Sequence, residues 1–123
     1  MWIGSDKLGI ILLDGFNHIY VDSSFNKELQ KCLMGYSNID HFTKWYMASL
    51  QILDDPDIGL EYPRFEHIEN NIYSMRYKGK KNIRILFCKS KGLIKILSCA
   101  FEEKSKSDYE LSKRIVRQRK KQY

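Results

Sequence analysis

Long apolar runs are missing from this chain. None exceeds four residues, as in Ile10 to Leu13, where a membrane span needs about 20. Only 2 Pro and 7 Gly occur in 123 residues, too few for a collagenous or low-complexity chain. The 3 Cys (Cys32, Cys88 and Cys99) are odd in number and form no CxxC pair, which argues against a disulfide scaffold and a zinc ribbon. Cys88 and Cys99 fall in strand-like runs and read as buried, reduced thiols, so the cytoplasm is the expected compartment. Asp6 and Lys7 interrupt the start of the chain and Asp14 closes its apolar run, so no signal peptide and no membrane association are expected. No carboxylate–histidine spacing marks a metal site and there is no P-loop, so neither a metal nor a cofactor is expected.

At 43% hydrophobic and 13% aromatic residues, the chain can fill one core, and residues 1–123 read as a single domain. Residues 1–16 stay open between a short extra strand and an irregular N-terminal extension. Acidic residues become scarce in the second half. Residues 1–75 hold 5 Lys and Arg against 11 Asp and Glu, a net −6; residues 76–123 hold 16 against 4, a net +12. Such a basic half predicts a polyanionic partner.

The run Asn17 to Asp22 reads as a strand. Ser23 and Ser24 are N-cap types for a short helix from Phe25 to Met34, which Gly35 ends. Asn38 caps a longer helix over 39–53, where Ile39, Phe42, Tyr46, Leu50 and Leu53 recur at spacings of three and four. Residues 58–69 read as a loop punctuated by Gly59 and Pro63. Three strands follow as a meander: 72–77, 83–88 and 93–101, joined by glycine-containing turns at Gly79 and Gly92. Ser107 and Glu110 match a capping box for a last helix reaching Lys121. The expected class is α+β, an antiparallel sheet with two N-terminal helices packed on one face and a C-terminal helix.

Side chains alternate across a strand. Tyr73, Met75 and Tyr77 therefore share a face with Ile83, Ile85 and Phe87, while Ser74, Arg76, Arg84, Leu86 and Cys88 lie on the other. An arginine flanked by apolar strand residues either pairs with a carboxylate or receives a phosphate. Arg76 and Arg84 are the first candidates for a phosphate site. Lys104, Lys106 and Tyr109 surround the predicted N-terminus of the last helix, where free N–H groups favour anions. Lys78, Lys80 and Lys81 in the hairpin turn, with Arg114 and Arg117 on the last helix, extend the candidate nucleic-acid surface. His67, just before the first arginine strand, is a candidate general base; His18 and His41 carry no expected role.

Tyr73-Ser74-Met75-Arg76, the apolar strand around Arg84, Ile96-Leu97-Ser98-Cys99-Ala100-Phe101 with Lys104 after it, and Lys113-Arg114-Ile115 occur in an order that resembles the RelE/ParE toxin superfamily. The likeness is to the HigB, phage-derived branch and covers about residues 17–118. Ser74, Cys99 and Glu103 depart from that pattern: Glu103 stands at the first position of a Lys-Lys pair and Cys99 where the branch often has histidine. The resemblance implies a RelE-like domain acting as the toxin of a type II toxin–antitoxin system. Its activity would be metal-independent, ribosome-dependent endoribonuclease cleavage of mRNA, and its partners mRNA, the ribosome and a helix-turn-helix antitoxin. Arg76 and Arg84 would hold the phosphate, Lys104 and Lys106 would hold phosphate or move protons, and Tyr109 would stack on a base or act as acid. Two alternatives stand beside this: a ParE-like DNA gyrase inhibitor, which does not require the Arg76, Arg84 and Lys104 set, and a non-catalytic nucleic-acid-binding module. On this reading Arg84→Ala should remove toxicity and leave the fold intact.

Overall fold

The computed structural model describes residues 9–57, 60, 64–91 and 94–123. The Trp2-Ile3-Gly4-Ser5 start and the punctuation assigned to Gly59, Pro63 and Gly92 lie outside the described residues. The elements are β1 (Ile10–Leu12), β2 (Ile19–Asp22), α1 (Phe25–Leu33), α2 (Ile39–Leu53), β3 (Phe65–Glu69), β4 (Ile72–Lys78), β5 (Asn82–Lys89), β6 (Lys95–Glu102) and α3 (Lys106–Lys120). The class is α+β, as the sequence predicts. One six-stranded sheet runs β1-β2-β6-β5-β4-β3.

Two expectations need correction. The segment read as a loop over 58–69 ends in a strand: Phe65 to Glu69 pairs antiparallel with β4, and Asn70, at φ 44°, makes the turn between them. The sheet is also mixed. β2 runs parallel to β6, with Ile19 beside Lys95 and Val21 beside Leu97; the other four pairings are antiparallel. The parallel pair follows from the connection: two helices cross one face of the sheet between β2 and the meander, and the last meander strand returns beside β2. β1 resolves the open question for part of residues 1–16 as a short extra strand against β2.

Each face has its own apolar layer. Phe25, Leu29 and Cys32 of α1 and Phe42, Leu50 and Leu53 of α2 pack with Met75, Tyr77, Ile83, Ile85 and Phe87. Val116 of α3 packs on the opposite face with Ile72, Leu86, Cys88, Ile96 and Cys99. The two sets are those the alternation of β4 and β5 predicts. Tyr77 anchors one end of the first layer: its hydroxyl lies 2.8 Å from Tyr36 Oη and 2.6 Å from His41 Nδ1. Gly79 is required beside it, because a Cβ there would sit 2.6 Å from the Tyr77 ring.

Helix ends differ in detail from the sequence reading. Gly35 takes φ 73° after α1, the left-handed conformation its type favours. At the other end of α1 Ser24 is the N-cap, though its side chain makes no capping bond; Asp22 Oδ1 accepts the Ser24 N–H at 2.9 Å. The capping box of α3 lies two residues earlier than predicted. Ser105 is the N-cap, and Asp108 Oδ2 accepts the N–H groups of Lys104 at 2.9 Å and Ser105 at 3.0 Å.

All three cysteines are buried and free. Burial pushes the thiols of Cys32 and Cys88 up to about 11 and that of Cys99 to about 12. Burial also raises Tyr77 to about 12 and lifts Tyr46 and Tyr123 well above the usual phenol range. Folded values above unfolded ones favour the native state below the unfolded pKa and lose that contribution as pH rises through the folded one. Stability should therefore hold to about the free-thiol value of 9.0 and fall progressively toward pH 11 or 12. Urea midpoints across that range check this; a midpoint independent of pH above 9 contradicts it.

Candidate functional site

The antiparallel register sets Arg76 of β4 directly opposite Arg84 of β5, and Arg84 opposite Phe101 of β6. Glu66 of β3 lies opposite Ser74. By the period of two these residues share the face that α3 partly covers. Like charges directly across a ladder repel, and Glu103 offsets this: its Oε1 lies 3.0 Å from Arg84 Nε and 4.0 Å from Arg76 Nε. Asn82 Oδ1 accepts from Arg76 Nε at 2.9 Å.

Arg84 is the centre of the arrangement. It is only 8% exposed, among the few charged residues buried in the fold. Its Nη1 donates to Ser74 Oγ at 3.1 Å and to Glu66 Oε1 at 3.2 Å. The guanidinium lies 4.4 Å over the ring of Tyr109, in the first turn of α3. Of the two readings open for a strand arginine, carboxylate pairing is realised, yet the group still borders open space. Arg64, Glu66, Ser74, Arg76, Lys78 and Arg84 line a cavity of about 220 Å³, four cations against one carboxylate. Burial raises the Tyr109 phenol above its usual value, with Arg84 opposing that shift, so it carries its proton at neutral pH. Tyr109 Oη and Glu66 Oε1 are 3.5 Å apart. A carboxylate, a protonated phenol and several guanidinium donors thus face one anion-sized space. That combination can bind a phosphodiester, stabilise added negative charge on it and relay a proton.

Arg76, Arg84 and Lys78 line this cavity, and Tyr109 stacks on Arg84 beside it; the other predicted residues do neither. Lys104 borders a separate cavity of about 400 Å³ with Glu28 and Lys31, and Lys106 is exposed. At this helix end the capping box takes up the N3 N–H through the Ser105 side chain and the Lys104 and Ser105 N–H groups through Asp108, which leaves fewer free N–H groups for an anion than expected. His67 is one residue out of phase with Glu66. It lies at a 45° tilt against Tyr73, whose ring joins the layer under α1 and α2, and its Nε2 is 2.7 Å from the carbonyl of Asn70. Lys81 turns to the end of α1, where its ammonium donates to the carbonyls of Cys32 at 2.8 Å and Met34 at 3.4 Å. Lys80 and Arg114 are exposed, and Arg117 is held by Glu69 through bonds of 2.8 and 2.6 Å.

Glu66 and Arg64 are the members the sequence reading misses. The alternation in Phe65-Glu66-His67-Ile68 would have found Glu66, once read as a strand pairing with β4. Arg64, which donates to Ser49 Oγ at 2.9 Å, carried no local signal. Among the described residues no group of three or more His, Cys, Asp or Glu side chains could hold a metal ion. No helix among them is long and apolar enough to cross a membrane. No family model matches the chain, and neither the curated proteins nor the solved structures contain a significant match to it.

Proposed function

We propose that the chain is an endoribonuclease toxin of the RelE/HigB kind, acting in the cytoplasm on mRNA at the ribosome and held in check by a helix-turn-helix antitoxin. The observation that carries this reading is the buried Arg84 guanidinium, stacked on Tyr109 and opening into a cavity lined by Arg64, Arg76 and Lys78. The resemblance in residue order supplies the toxin class; the cavity supplies the chemistry.

In this mechanism the ribose 2′-OH attacks the adjacent phosphorus, and the bond to the 5′ oxygen breaks. The products are a 2′,3′-cyclic phosphate and a 5′-OH. Arg84 and Arg76 donate to the non-bridging oxygens, whose charge grows in the pentacoordinate state. Glu66, most of whose side chain is exposed, takes the 2′-OH proton. Tyr109 gives its proton to the departing 5′ oxygen. The 3.5 Å between Tyr109 Oη and Glu66 Oε1 then lets the proton return to the phenol, which restores both groups.

Arg84 is already engaged by Glu66, Glu103 and Ser74. That observation favours a second reading, a non-catalytic RNA-binding module using the same cavity. The gyrase-inhibitor alternative has no comparable observation behind it. The readings separate on product analysis: the purified chain, incubated with mRNA alone and in a translating extract, should yield 2′,3′-cyclic phosphate and 5′-OH ends. Intact RNA in both settings would overturn the ribonuclease reading in favour of binding without cleavage, and 5′-phosphate ends, the products of hydrolysis by activated water, would overturn the mechanism.

A further inference from the structure

A second basic cavity lies at the far end of the same sheet face. Its volume is about 310 Å³, and Lys89, Lys91 and Lys120 border it together with Asn71 and Ser90. Three of the six cations of α3 are paired. Lys113 pairs with Glu110 at 3.0 Å, Arg117 with Glu69 at 2.6 Å and Arg119 with Glu28 at 2.6 Å. Among the described residues, no ion pair or side-chain hydrogen bond engages the ammonium of Lys89, Lys91 or Lys120. Three lysines outside any ion pair thus border one concavity, and an anion bound there would offset their charge.

The two cavities are joined by the elements that build them. β5 carries Arg84 near one end, and Cys88, four residues on and on the same face, lines the second cavity with Lys89 at the strand's end, so at roughly 3.4 Å per residue the two cavities are about 14 to 17 Å apart. α3 carries Tyr109 in its first turn and Lys120 in its last. Tyr109, Lys113, Arg117 and Lys120 follow spacings of four, four and three, one continuous stripe along the helix. At an axial rise of about 3.4 Å per nucleotide, a stacked strand would cover this distance with about five nucleotides.

We propose that Lys89, Lys91 and Lys120 form a second phosphate-binding site for the RNA strand whose scissile phosphate lies at Arg84. The path along α3 rests on the ribonuclease reading; the unpaired lysines do not. An RNA strand fits better than an acidic protein segment because the site continues the stripe leading from the first cavity.

The test compares two uncleavable 2′-O-methyl RNAs, a dinucleotide and a strand of ~12 nucleotides, across a salt series. The native chain should bind the longer strand more tightly. In the combined variant Lys89→Gln/Lys91→Gln/Lys120→Gln the ratio of long to short affinity should fall about tenfold, and the slope of log affinity on log salt should shrink by about 2, near 0.7 per lost contact. An unchanged ratio and slope overturn the proposal, and so does a native chain that binds both RNAs equally. Loss of binding to a poly-glutamate peptide with RNA binding retained would overturn it in favour of a protein partner. A lysine effect as expected, with Arg76→Gln without effect on either RNA, would support the second site and overturn the first. Failure of the native chain to bind any RNA at low salt would overturn both.

Discussion

On the proposed ribonuclease reading, Arg84→Met should lower RNA cleavage by roughly 10²–10³-fold, the usual loss when one preorganised donor to a developing anion is removed. It should also destabilise the fold by about 3 kcal/mol, the scale for leaving one member of a buried pair without its partner. Arg84 and Glu103 have side chains only 10% and 15% exposed. Without the guanidinium, the Glu103 carboxylate keeps only Arg76 Nε at 4.0 Å and the buried Ser74 hydroxyl loses its partner. Glu66 is 64% exposed and simply returns to water. The sequence-based expectation that Arg84→Ala leaves the fold intact therefore needs correction. The informative variant is Arg84→Met combined with Glu103→Gln, which removes the stranded charge. It should recover most of the lost stability and none of the activity. Urea unfolding and cleavage rates on the same samples decide the matter. Native-like cleavage by the double variant would show that Arg84 serves only to hold Glu103.

Glu28→Ala should cost about 2–3 kcal/mol, or a drop in Tm of roughly 10 °C for a chain of this size. The reason is an incomplete sheet. β2 accompanies β6 only as far as Val21 beside Leu97. Past that point side chains take over the backbone groups of β6: Arg119 Nη1 donates to the Ser98 carbonyl at 2.6 Å, and the Ala100 N–H donates to Glu28 Oε1 at 3.3 Å. Arg119 and Glu28 also bond each other at 3.0 and 2.6 Å, with side chains 21% and 25% exposed. Truncating Glu28 strands a guanidinium and an amide together. Tyr123 closes the same region, its hydroxyl 2.6 Å from Ser98 Oγ and donating to Asp22 Oδ2 at 2.8 Å. Tyr123→Phe leaves the buried Ser98 hydroxyl and Asp22 Oδ2 without that partner and should cost about 2 kcal/mol. Thermal melts of the two variants compare them directly. Equal Tm values for Glu28→Ala and the native chain would mean that water replaces the carboxylate at no cost.

The parts of the fold legible in the sequence are those that local chemistry dictates. A period of two separates Met75, Tyr77, Ile83, Ile85 and Phe87 from Ser74, Arg76, Arg84, Leu86 and Cys88, whatever the strands pair with. The apolar spacing and flanking residues of α2 place it at Ile39 to Leu53, as found. Its first apolar position is the exception, since Ile39 is 39% exposed. Gly35 and the β4–β5 turn follow from single-residue preferences. Once β4 and β5 form a hairpin, the opposition of Arg76 and Arg84 follows as well. The strand Phe65–Glu69 carried an alternation but was masked by the punctuation before it.

Everything decided between distant residues lay outside that reach. The parallel pairing of β2 with β6 depends on how two helices cross the sheet, which no short window records. Whether Arg84 meets Glu66, Glu103 or a phosphate depends on which carboxylates packing brings beside it. Lys81 and His67 look like any other basic residues near the hairpin and the first arginine strand, until the register and the end of α1 direct one to backbone carbonyls and the other to the wrong face. Arg119 and Arg117 read as one basic run with Lys120, yet only Lys120 is left without a carboxylate among the described residues. Periodicity is a property of neighbours along the chain and survives in the sequence. Charge neutralisation is a property of neighbours in space, and here it was settled by contacts between β3 or α1 and the end of the chain.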